Sequence, residues 1–141
     1  MVLKLRVEAE VRPTESREKV EAAVKRIFPT LNLELVGQRL VGEASDVGAL
    51  SQFHRLLRQQ AILDTARSVL LANKRGNATH FMLNKQVAFV GRISFTEGES
   101  PLGPISVSLE APNIDLLIDY LAPKTREGKP IVEIEPQALQ D

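Results

Sequence analysis

Cysteine is absent from this chain of 141 residues, and aromatic residues make up only 4% of it. The first absence removes disulfides, thiolate zinc sites and a cysteine nucleophile together, and it is consistent with a reducing compartment. The second predicts an aliphatic core and leaves few rings for stacking on bases. Histidine occurs at His54 and His80 alone, with no second histidine at ligand spacing, so no metal site is expected. His54, beside the helical stripe of Phe53 and Leu57, reads as a boundary residue. Phosphate loops of the P-loop or Rossmann kind are missing, and no cofactor is expected. Long apolar runs are missing too. No segment approaches the roughly 20 apolar residues that span a bilayer. The amino-terminal MVLKLRVEAEVR alternates apolar and charged residues, without the apolar block of a signal peptide. A cytoplasmic protein with no membrane contact is expected.

What is present is ordinary in amount and uneven in place. The chain is 43% hydrophobic and 26% charged, and is long enough to bury a core as one domain over residues 1–141. Its formal net charge is zero, with 18 basic and 18 acidic side chains. Residues 1–46 balance. Residues 47–96 hold seven cations, Arg55, Arg58, Arg67, Lys74, Arg75, Lys85 and Arg92, against the single acid Asp64. Residues 97–141 hold three cations against nine acids. Two arrangements are open. The middle segment can present a basic face, or the acidic last third can fold over it and neutralise it.

The periodicity predicts an α+β domain: a mostly antiparallel sheet with helices on one face. Leu3 to Val11 alternate as a strand, and Thr14 or Ser16 can cap a helix carrying Val20, Ala23, Val24 and Ile27. Leu31 to Ala44 read as a strand, a Gly37-Gln38 turn and a return strand. From Asp46 to about Asn73 the pattern is helical, as one bent helix or two broken near Gln59-Gln60. Arg75-Gly76-Asn77 is a loop or a helix cap. Thr79 to Leu83 and Val87 to Phe95 read as strands on either side of an Asn84-Lys85-Gln86 turn, with Phe81, Leu83, Phe89, Ile93 and Phe95 in the core. Ile105 to Glu110 make another strand, and Pro112-Asn113 opens a last helix over Ile114 to Leu121. Residues 122–141 are a loose tail or an edge strand.

Catalytic groups do not assemble in the sequence, and no enzyme is expected. Asp64 stands three residues before Arg67, the spacing of a helix-surface ion pair. Asp115 and Asp119 read as the wet face of the last helix, and Glu97 and Glu99 as a loop tip. The remaining signal is basic and polar. Arg55, Arg58, Arg67, Lys74, Arg75, Lys85 and Arg92 are candidates for phosphate contact, and Asn77, Asn84 and Gln86 for polar contact with RNA. Without interleaved rings, recognition by shape and backbone charge is expected rather than base stacking. The alternative is a protein–protein adaptor or homodimeric subunit, with opposite charges pairing two copies or the IVEIE tail adding a strand to a neighbour.

The stretch RGNATHFMLNKQVAFVGRISF, followed by SPLGPI, resembles a family of small archaeal proteins of unassigned function, described as predicted RNA-binding proteins and sometimes as exosome-associated subunits. The shared pattern falls on Arg75, Gly76 and Asn77, on Phe81, Leu83, Asn84, Lys85 and Gln86, and on Ser100 to Ile105. ILDTAR, Ile62 to Arg67, resembles the helix that precedes them. The resemblance implies the fold of the large-subunit ribosomal protein that binds 5S rRNA, an RNA partner or RNA-processing complex, and no catalytic residue.

Overall fold

The structure, a computed structural model, describes residues 2–97 and 102–139. Ser100 and Pro101 of the SPLGPI segment, and Glu99, lie outside the described residues. β1 (Lys4–Glu10) sits near the middle of a sheet, because Leu5, Val7 and Ala9 all point into the core while Lys4, Arg6, Glu8 and Glu10 point away. α1 (Arg17–Ile27) buries Val20, Ala23, Val24 and Ile27. β2 (Glu34–Val36) and β3 (Arg39–Ala44) form the expected hairpin. After a short 3₁₀ turn, α2 (Ser51–Gln59) and α3 (Leu63–Ala72) follow.

The break between α2 and α3 falls at Ala61, in the left-handed conformation at φ 55°. Ala61 N–H donates to the Arg58 carbonyl and Ile62 N–H to that of Leu57, the paired bonds of a Schellman cap. β4 (Ala78–Asn84) turns its Thr79, Phe81 and Leu83 inward. β6 (Pro104–Glu110) does the same with Ile105, Val107 and Leu109, and lies between β1 and β4. The strand order is β2-β3-β1-β6-β4-β5, and every neighbour pair is antiparallel. α5 (Ile114–Leu121) starts at Asn113, whose Oδ1 accepts from Leu116 N–H. One hydrophobic cluster runs from Leu3 to Leu139, and its largest rings stack in a row, Phe28–Phe53 at 5.9 Å and Phe53–Phe81 at 5.1 Å between centroids.

Two expectations are corrected. Asn84-Lys85-Gln86 is no hairpin turn. Lys85–Phe89 is a helix, α4, and the strand that follows, β5, is only Phe95–Thr96. The local chemistry explains it. Asn84 Oδ1 accepts from Val87 N–H at 2.9 Å as a helix N-cap. At the other end Gly91 takes φ 82°, with Gly91 N–H on the Ala88 carbonyl and Arg92 N–H on that of Val87, a second Schellman cap. In consequence Phe89 leaves the core and is 39% exposed. The tail, described over residues 122–139, adds no strand to the sheet. β7 (Thr125–Arg126) and β8 (Lys129–Pro130) form a small hairpin, and the chain then folds back over α5, burying Leu139.

Candidate nucleic-acid interface

The seven cations of the middle segment separate into three groups. Arg58, Arg67 and Lys74 meet the acidic last third. Arg58 clamps Glu133 with its Nε and Nη2, at 2.8 and 2.7 Å, and also donates to the carbonyls of His54, Tyr120 and Leu121. Arg67 reaches Asp119 at 2.8 Å and the Ala122 carbonyl at 3.1 Å. Lys74 pairs with Asp115. Asp64 does not take Arg67, because α3 turns that arginine toward α5. Its carboxylate accepts from the Thr125 hydroxyl instead.

Lys85 forms the second group alone. Its side chain is 4% exposed and that of Glu15 9%. The ammonium donates to the carbonyls of Glu10 and Leu102, both at 2.7 Å, and to Glu15 at 3.0 Å. Glu15 also accepts from Arg12 N–H. All three ammonium donors are therefore spent inside the protein, which leaves none for a phosphate. Arg55, Arg75 and Arg92 are the third group. They are exposed and have no carboxylate partner among the described residues. Arg55 rests on Gln52, and Arg75 on the Lys74 carbonyl.

The polar candidates also part. Asn84 is occupied as the α4 cap. Asn77 lies in the exposed Arg75–Ala78 turn, its carbonyl accepting from Ala111 N–H. Gln86 is exposed, and its amide has no partner among the described residues. Counting charge along the chain misses a further set. The exposed Arg17, Lys19, Lys25 and Arg26 of α1 have no carboxylate within 4.0 Å among the described residues. Glu18 and Glu21 share the helix with them, and other acids of residues 1–46 lie on the sheet. Glu8 and Glu43 pair with Arg6, Glu8 also with Arg39, and Glu10 with Arg12, on and beside the uncovered face of the sheet. Among the described residues the one ring exposed on that face is the imidazole of His80, opposite Ser108, so the face has no row of aromatic rings of the RRM kind.

Three titratable groups lie where α2, α5 and the tail meet. Burial, with the Arg58 charge, holds His54 below its ordinary value, and its ring lies 4.5 Å from that of Tyr120. Burial raises Tyr120. The hydrogen bond from Arg58 lowers Glu133. His54 Nε2 is enclosed and has no partner among the described residues. Among the described residues no three ligating side chains gather as a metal site, and no helix is long and apolar enough to cross a membrane.

An antiparallel sheet with helices on one side agrees with what known proteins show. The model of a family described as RNA binding matches residues 4–111, and the chain belongs to that family. Its archaeal relatives carry the name UPF0201 protein. The one from Sulfurisphaera tokodaii is 48% identical over 136 residues, covering 92% of this chain and 94% of its own length. The one from Aeropyrum pernix is 42% identical over 138 residues, covering 93% and 92%. The crystal structure of a UPF0201 protein from Methanococcus jannaschii matches with a TM-score of 0.81 at 36% identity, covering 92% of this chain and 99% of that one.

Proposed function

We propose that the protein is a non-catalytic RNA-binding protein that holds RNA by its shape and phosphate backbone, in the cytoplasm and without a cofactor. The observation that carries this reading is the set of exposed cations without carboxylate partners on the helix-bearing side: Arg17, Lys19, Lys25 and Arg26 on α1, Arg55 on α2, Arg92 after α4, and Arg75 at the turn before β4. A cation already matched by a carboxylate displaces fewer counterions from RNA than a free one, so these side chains outrank Arg58, Arg67, Lys74 and Lys85 as phosphate ligands. Asn77 and Gln86 are the polar groups left to position sugar or base.

The test is anisotropy of labelled RNA against salt. A Lys19/Lys25/Arg26 triple alanine variant lowers the slope of log affinity against log salt by about one for each phosphate that is no longer neutralised. An Arg6/Arg39 double alanine variant on the sheet face leaves it unchanged. Equal slopes for parent and both variants end this reading.

A second reading, a homodimer or a subunit of an RNA-processing complex, is favoured by the outer strand β2, where Leu35 and Val36 are exposed beside an unpaired backbone edge. Sedimentation that shows only monomer at high concentration counts against the homodimer.

A further inference from the structure

Between α1 and α4 lies a cleft of about 430 Å³. Its floor is Val20 and Ala23 of α1 together with the buried Lys85–Glu15 pair, and its rim is Thr14, Lys19, Gln86 and Phe89. Because Lys85 cancels Glu15, the lining keeps one net charge, the ammonium of Lys19. That ammonium and the Gln86 amide have no partner among the described residues. The nearby Ser16 hydroxyl is spent on Glu18 at 2.9 Å, whereas Thr14 is exposed at the rim.

Phe89 singles the cleft out. The chain has five phenylalanines and one tyrosine. Phe28, Phe53 and Phe81 stack in the core, Phe95 packs edge-on against Phe81 at 5.8 Å, and Tyr120 lies on His54. Phe89 alone is exposed, and it touches no other ring among the described residues. An isolated exposed ring needs no explanation. This one stands three residues after Gln86 on α4, so both reach the same cleft, opposite Lys19. A flat apolar face, an amide that both donates and accepts, and a cation are the three groups that hold the base, the base edge and the phosphate of a nucleotide.

We propose that this cleft receives one unpaired nucleotide of an RNA strand, its base stacked on Phe89, its edge bonded by Gln86 and its phosphate held by Lys19. This rests on the RNA-binding reading and adds to it a point where an unpaired base is gripped. A fully paired stem offers no free base face and has to bind through phosphates alone.

The experiment compares an RNA hairpin carrying one bulged 2-aminopurine with the same stem lacking the bulge. The parent binds the bulged hairpin about 5- to 150-fold more tightly, the range for stacking one base, and quenches the probe. Phe89→Leu, which keeps apolar cover over the cleft but removes the ring face, loses the preference and the quenching while its stem affinity stays. Phe89→Trp retains both. Stem binding with no preference for the bulge, or a preference that survives in Phe89→Leu, overturns the cleft and leaves the RNA-binding reading standing. If neither RNA binds, AMP is titrated while the Gln86 side-chain amide is followed by NMR. A shift of that signal overturns RNA as the source of the nucleotide. A signal that does not move overturns the cleft as well.

Discussion

The helix layer has two sides that differ in how their cations are met. Around α3, α5 and the tail, Arg58, Arg67 and Lys74 each find an acid from the last third of the chain. Along α1 and α4, the four exposed cations of α1 find none among the described residues, and the one paired lysine, Lys85, is buried. A segment with six excess positive charges thus has four of its seven cations matched by acids, while a segment of zero net charge supplies the four open cations of α1. Topology makes the difference. β1 and β3 take their acids to the sheet face, away from α1, and α5 brings Asp115 and Asp119 against α3. Net charge by segment describes composition, whereas the field at a surface depends on which charges fold against each other.

Four perturbations break or sharpen this contrast. The largest effect is expected for Lys85→Ala, which leaves the Glu15 carboxylate without its cation and takes a donor from two carbonyls in the interior. A loss of about 3–5 kcal/mol is expected for breaking such a buried pair, measured by urea unfolding. Arg75→Ala, on the surface, stays within about 0.5 kcal/mol in the same assay. A Lys85 variant as stable as the parent removes the distinction between the buried cation and the exposed one.

On the other side, Arg58→Ala frees Glu133 and three carbonyls. A loss of about 1.5–3 kcal/mol is expected, as for hydrogen bonds made by a charged group. Amide exchange rises first between Lys124 and Leu139. An unchanged exchange pattern there shows that the tail does not depend on the arginine.

Acid weakens this side at two groups. His54 is held below its ordinary 6.5, so the unfolded chain binds the proton more readily, and stability falls as pH drops below about 6.5. Glu133 is also lowered, so its contribution is full above 4.5 and is lost as pH falls through its lower folded value. His54→Asn removes the first step and keeps the second. A stability curve flat from pH 7 to 5 in the parent contradicts the assignment.

A smaller effect, of the opposite sign, is expected at the α2–α3 break. Ala61 occupies a left-handed position that glycine takes without strain, so Ala61→Gly gains about 0.5–1 kcal/mol, visible as a raised urea midpoint. A lowered midpoint means that the chain gains more from the methyl than it loses to the backbone.

The strands and long helices were legible because their apolar periods are clean. Leu5, Val7 and Ala9 alternate, and Val20, Ala23, Val24 and Ile27 follow one stripe. The α2–α3 break was legible as one of two readings, a break near Gln59-Gln60 or a single bent helix, and it falls at Ala61. α4 was not, because Val87 and Phe89 alternate as a strand would. What decides that segment is its punctuation, an asparagine cap at Asn84 and a left-handed glycine at Gly91. Those two residues bracket a short helix and were the signal available. The candidate site was less legible. Of Asn84-Lys85-Gln86 only Gln86 is left with a free side chain, because the helix turns Lys85 inward and uses Asn84 as its cap. No local pattern announces that a lysine will find two carbonyls and a carboxylate from three distant parts of the chain.

That enclosure makes Lys85 a reporter as well as a pin. The chain has seven lysines, and the other six keep their ammonium groups at least partly in solvent. An acylating reagent reaches those six in the native protein, but it reaches Lys85 only when β1, α1 and α4 separate. The rate at which this one amine is labelled therefore clocks the opening of the core itself.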